Sequence, residues 1–173
     1  NFKDIYDFDL FIELDKNKFA INEISYFKDS IKNASLNITG KYQKEKKLSF
    51  KKIEYNENEN KIFIYNLELD SNNKIKNFKK ASFNYLTTNN ILNRFEITYY
   101  HPNYTITGKV YDAIKLIKDI TDTETKTNFF DIFKEINSKI NINLKEVYLD
   151  NNNIAKNFNG SLKLKKNKII DLD

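Results

Sequence analysis

Apolar residues at every second position constrain this chain more than any other feature. Phe8, Leu10, Ile12 and Leu14 alternate with Asp7, Asp9, Phe11 and Glu13, and Leu36 and Ile38 with Asn37 and Thr39. Phe63, Tyr65, Leu67 and Leu69 read as one series, opposed at its start by Ile62 and Ile64. Ala81, Phe83 and Tyr85 follow, then Phe95, Ile97 and Tyr99 against Arg94, Glu96 and Thr98. Ile140, Ile142 and Leu144 alternate with Asn141, Asn143 and Lys145, and Leu162 and Leu164 with Ser161, Lys163 and Lys165. Side chains of a strand point to opposite faces in turn, so most of these runs carry one apolar and one wet face. The pattern predicts a mainly β chain, an antiparallel sheet covered on one side. Turn-forming stretches such as Asp70-Ser71-Asn72-Asn73, Thr88-Asn89-Asn90 and Asp150-Asn151-Asn152-Asn153 separate the runs, as in a meander.

One region departs from period two. Ala113, Ile114, Leu116, Ile117 and Ile120 keep helical spacing, which predicts a short amphipathic helix over 112–120. Phe129, Ile132, Phe133 and Ile136 stand at i, i+3, i+4 and i+7, and Asn128 is placed as an N-cap. A second helix is therefore expected over 128–137, with both apolar faces on the sheet. The resulting division is strands over 1–110, a helical insertion over 111–137 and a β-hairpin repeat over 138–173. A weaker echo links Leu36-Asn37-Ile38-Thr39-Gly40-Lys41 to Tyr104-Thr105-Ile106-Thr107-Gly108-Lys109. Together with Phe158-Asn159-Gly160-Ser161, these stretches hold the three glycines of the chain, and glycine inside a strand marks a bulge or bend.

Residue content narrows the chemistry. Aromatics make up 14% and hydrophobic residues 40%, too much for a disordered chain. The 29 basic residues are interspersed with 24 acidic ones, so the net charge of +5 permits attraction to an anionic surface without requiring it. Heavy use of Asn, Lys and Ile fits AT-rich coding, which argues against reading each lysine as a phosphate contact. Lys41, Lys44, Lys46, Lys47, Lys51 and Lys52 flank Tyr42 and Phe50, but a charged hairpin edge explains them better than nucleic acid. There is no cysteine, and the single histidine, His101, stands beside Pro102 between two strands. No ordinary zinc site, phosphate loop or nucleophile–base pair follows, so neither enzyme nor cofactor is expected. Asp7, Asp9, Glu13 and Asp15 read as a solvated row rather than a calcium site. No apolar run reaches the ~18–20 residues of a membrane helix. The chain opens at Asn1, contains no methionine and stops within an alternation, from which a segment of a longer protein is expected.

The C-terminal part carries a resemblance. Asn137–Asp150 (NSKININLKEVYLD), the asparagine turn after it, and Ile154–Asp173 (IAKNFNGSLKLKKNKIIDLD) resemble the repeating hairpins of the AsmA-like family, the TamB- and YhdP-type bridge-like lipid transfer proteins. Thr105–Ile117 (TITGKVYDAIKLI) is similar to a strand–helix passage of YhdP-type members. The resemblance covers Tyr104 to Asp173; before that, only the alternation supports it. It implies a long twisted sheet in the periplasm whose apolar inner face carries phospholipid acyl chains between inner and outer membranes, in a parent anchored in the inner membrane. It brings no catalytic residues. The expected lining is Phe8, Leu10, Ile12, Leu14, Phe83, Tyr85, Phe95, Ile97, Tyr99, Ile140, Ile142 and Leu144. The same residues suit the core of a closed structural or adhesive β-sandwich, and the alternation does not choose between the two.

Overall fold

The computed structural model describes residues 5–44, 47–121 and 132–173. The chain forms β1 (Ile5–Glu13), β2 (Phe19–Ile21), β3 (Tyr26–Lys28), β4 (Ser35–Gln43), β5 (Lys47–Glu57) and β6 (Asn60–Leu69). There follow β7 (Ile75–Asn77), β8 (Lys80–Leu86), β9 (Leu92–Tyr100) and β10 (Asn103–Asp112). The helix α1 (Ile114–Thr121) leads to β11 (Ser138–Tyr148), β12 (Ile154–Lys165) and β13 (Lys168–Leu172). Eleven of the strands join one sheet in the order β1-β4-β5-β6-β8-β9-β10-β11-β12-β13, with β7 added beside β6. The order ends at β1 and β13, so the sheet is open rather than closed into a barrel. The second sheet is only the β2–β3 hairpin.

The fold is mainly β, as the alternation predicts, but the sheet is mixed. Its neighbours pair antiparallel except β10 and β11, which run parallel. A parallel pair needs a crossover, and α1 lies within it. Asp112 Oδ1 accepts the Ile114 N–H at 3.1 Å, the hydrogen bond of an N-cap, and the Ala113 N–H donates to Tyr148 O at 3.0 Å.

The second expected helix is corrected in part. Residues 128–131 lie outside the described residues. Over 132–137 the chain is not α-helical: Phe133 bridges Ile75, and the Lys134 N–H donates to Ile75 O at 2.7 Å. The Ile136 N–H donates to Asn167 Oδ1 at 2.6 Å. Partners distant in sequence thus take the N–H groups that a helix would have used. Phe133 and Ile136 nevertheless pack on the sheet.

Asparagine and aspartate make the turns. Asp70 Oδ1 accepts the N–H groups of Asn72 and Lys74, and Asp150 Oδ1 those of Asn152 and Asn153. Asn58, Asn73 and Asn90 adopt φ of 51°, 59° and 60°. A further left-handed residue, Asn66 (φ 51°), lies inside β6. It divides the series read as Phe63-Tyr65-Leu67-Leu69. Phe63 and Tyr65 stack on each other, and Tyr65 lies on the polar face beside Lys80, Glu96 and Thr98. Leu67 and Leu69 join Ile64 in the core.

Candidate functional site: an apolar sheet face with an uncovered middle

The sheet register turns the separate alternations into rows that cross the strands. Leu10, Ile38, Ile53, Ile64, Ala81, Ile97, Ile106, Ile142 and Gly160 are successive cross-strand partners from β1 to β12. Beside them runs Ile12, Leu36, Tyr55, Ile62, Phe83, Phe95, Gly108, Leu144 and Phe158. Neither row contains a charge. At about 4.8 Å per strand, each extends roughly 38 Å along the sheet.

The two flanks of this face are covered. On one flank, the β2–β3 hairpin brings Tyr26, Phe19, Ile21 and Ile24 onto Tyr55, Ile62 and Tyr85. Most of its polar groups are paired: Tyr85 donates to Ile24 O at 2.7 Å, the Tyr26 hydroxyl bonds the Tyr55 hydroxyl and donates to the Glu57 carboxylate, and the Thr88 N–H donates to Ser25 O at 2.8 Å. The buried Lys28 ammonium donates to the carbonyls of Asp15, Asn17 and Asp29. Further along the same flank, Ala113 and Ile117 of the α1 region cover Phe95, Leu144 and Val147. On the other flank, Phe78 and Ile136 are buried with Leu67, Tyr104, Ile140 and Leu164.

Between the flanks, Ile38, Ile53, Ile64, Ile97, Ile106 and Ile142 are only half-buried, and Leu10 is exposed. Ala81 alone of the middle row is sealed. The twelve expected lining residues all belong to this apolar side, but they divide by access. Tyr85, Phe95, Ile140 and Leu144 are buried beneath the flanking segments. Phe8, Leu14, Phe83, Ile97, Tyr99 and Ile142 are half-buried, and Leu10 and Ile12 are exposed. Sequence reasoning missed Ile53, Ile64, Ile106 and Leu162. Ile53 and Ile64 sit beside chain irregularities that upset their parity, while the strand of Ile106 was read from its glycine echo and its resemblance rather than from its alternation.

The echoed glycines have a shared role. Both Gly40 and Gly108 sit at register shifts on this face. A Cβ on Gly40 would lie 2.6 Å from Phe8 Cζ, and the Phe8 and Phe50 rings meet edge to face across it. A Cβ on Gly108 would lie 2.6 Å from Phe95 Cα and press on Arg94 O. Each glycine admits a close approach: the Phe8 ring at Gly40, and the β9 chain at Arg94 and Phe95 at Gly108.

Charge is kept to the opposite face and the margins. Glu96 meets Lys80 and Ser82 at 2.8 Å each, which holds its carboxyl below the usual range. Burial pushes the hydroxyls of Tyr55 and Tyr85 well above the ordinary tyrosine range and that of Tyr104 up to about 12, so the apolar face stays neutral. His101 is exposed, 2.8 Å from the Tyr99 hydroxyl. Asp7, Asp9 and Glu13 line one exposed strand, and among the described residues no cluster of acidic or histidine side chains is placed to hold a metal ion. No helix among the described residues is long and apolar enough to cross a membrane. No family model, curated protein or solved structure matches this chain.

Proposed function

We propose that the chain is a segment of an envelope protein that carries phospholipid acyl chains along its apolar sheet face, as the resemblance to AsmA-like proteins implies. The observation that supports this is the uncharged, half-uncovered middle row. A closed sandwich would lay a second large sheet over those isoleucines, whereas the second sheet among the described residues is a hairpin of two three-residue strands on one flank. An acyl chain laid along the row gains about 0.8 kcal/mol for each CH₂ taken from water. The strands stand across its path, so a chain can slide from one to the next without meeting a charge. On this reading the protein is not an enzyme, takes no cofactor and has no nucleic-acid partner. It acts in the periplasm, and parts of the parent beyond these residues associate with the inner membrane.

The test is native mass spectrometry of the purified chain after exposure to phospholipid vesicles, with Ile97→Asp and Ile142→Asp beside the parent sequence. Bound phospholipid that competing lipid displaces is expected for the parent and lost in folded variants, with circular dichroism reporting the fold. A lipid-free parent, or variants that bind as the parent does, would overturn the reading. Variants that unfold outright would show a sealed core, and with it no groove.

A further inference from the structure

The face opposite the apolar rows carries an arrangement of its own. Tyr65, Lys80, Thr98 and Thr105 are successive cross-strand partners from β6 to β10. Beside them run Phe63, Ser82, Glu96 and Thr107. At about 4.8 Å per strand, three steps set Thr105 roughly 14 Å from Tyr65. The Phe63 and Tyr65 rings stack, with centroids 6.3 Å apart and planes 11° from parallel. Two residues beyond Thr98, and so on the same face, Tyr100 is 70% exposed. An open cavity of about 560 Å³ is lined by both tyrosines, the three threonines, Lys80 and Glu96.

This lining presents groups still able to bond. Lys80 and Ser82 both reach Oε1 of Glu96, at 2.8 Å each, and Oε2 has no partner among the described residues. The Thr98, Thr105 and Thr107 hydroxyls likewise bond none of the described residues. Charge is nearly balanced. Lys80 offsets Glu96, and beside them Lys52 offsets Glu54 at 3.0 Å. Exposed Lys79 is the one further cation of the lining. A nucleic acid draws its affinity from several cations that replace its counterions, and one lysine does not supply them. The occupant that fits is uncharged. Its polar groups both donate and accept, to meet a carboxylate oxygen, an ammonium and three hydroxyls. It also carries C–H faces, whose slight positive charge suits the negative faces of the tyrosine rings. A saccharide combines these properties.

We infer that this cavity binds a neutral oligosaccharide, with C–H faces of its sugars on Tyr65 and Tyr100 and its hydroxyls on Glu96 Oε2, Lys80 Nζ and the threonines. The site lies on the opposite face from the acyl-chain row and stands without that reading. Its four strands are interior to the sheet order, so what adjoins the edge strands does not bear on it.

Titration of the ¹⁵N-labelled 173-residue chain with maltohexaose, cellohexaose and chitohexaose in turn, followed by the backbone amide resonances, tests this. At least one hexasaccharide is expected to shift amides of β6, β8, β9 and β10 saturably, with a Kd on the order of 1 mM or tighter. Tyr100→Ala, at a largely exposed ring, is expected to weaken binding about fivefold, with amides away from the site unchanged. Thr98→Val with Thr105→Val, which removes two hydroxyls and keeps the branched shape, is expected to weaken it as much. A thymidine hexanucleotide is expected to leave these amides unmoved. No shift with any of the three hexasaccharides, shifts with the hexanucleotide in their place, or folded variants that bind as the parent does would each overturn the inference.

Discussion

The hairpin-covered flank and the bare middle row are built from the same kinds of residue and finished in opposite ways. On the flank, Tyr26 and Tyr85 are each 1% exposed, and every hydroxyl that burial strands has a partner. The chain leaves the sheet at Leu14 and returns through Ala34, whose carbonyl accepts the Leu14 N–H, to supply that cover itself. Across the adjacent row, Ile38, Ile53 and Ile64 pair side by side with nothing comparable above them. Apolar character alone does not say which part of a sheet becomes core. That is decided by where the connections between strands are long enough to fold back.

The sharpest way to break this comparison is to truncate one side chain on each side of it. Tyr85→Ala removes a fully buried ring and strands Ile24 O and Asn93 Nδ2, so a loss of about 3–5 kcal/mol is expected in chemical denaturation. Ile97→Ala, half-exposed in the row, is expected to lose no more than about 2 kcal/mol, below the range for sealed isoleucines. Equal losses would mean that the row is as sealed as the flank.

A smaller effect separates the glycines. Gly108→Ala drives a Cβ into backbone, against Phe95 Cα and Arg94 O, and neither can rotate away. About 1–3 kcal/mol of destabilisation is expected. Gly160→Ala meets Phe158 ring atoms at 3.4 Å, an ordinary contact, and a single backbone atom, Asp173 O, at 2.9 Å. Less than about 1 kcal/mol is expected there, measured as a shift in denaturation midpoint. If Gly108→Ala proves as mild, the backbone at the bulge gives way more easily than these distances require.

Much of this was legible in the sequence, and the failures are local. Period two placed Phe8, Leu10, Ile97 and Ile142 on one side because a strand without irregularities keeps its parity. It failed after Asn66, where one left-handed residue exchanges the faces, and around Lys51, where the β4–β5 register slips by one. The echo of Gly40 and Gly108 carried real information, since both mark a register slip where a neighbouring strand comes close. The β2–β3 hairpin was missed because Phe19–Ile21 and Tyr26–Lys28 are too short to show a period. The spacing of Phe133 and Ile136 suggested a helix, but Ile75 and Asn167, far away in sequence, claim their backbone instead.

The flank can be distinguished from the row once more, by pH. Glu57 is fully buried in the covered flank, where desolvation raises its carboxyl above the ordinary glutamate value, although Lys32 Nζ lies 3.1 Å away. The folded chain then keeps a proton that the unfolded chain releases. Stability is therefore fully present below the ordinary glutamate range and declines as pH rises through the folded value. The expected decline is modest, on the order of 2–4 °C in Tm, because the Tyr26 hydroxyl and Lys32 both favour the ionised form. Glu57→Gln removes the titration and is expected to flatten this part of the Tm profile, measured by thermal denaturation from acid to neutral pH. The middle row contains no titrating group, so Ile97→Ala is expected to lower the whole profile without changing its slope. A slope that survives in Glu57→Gln would place the proton elsewhere and leave the buried carboxylate without influence on the hairpin it holds.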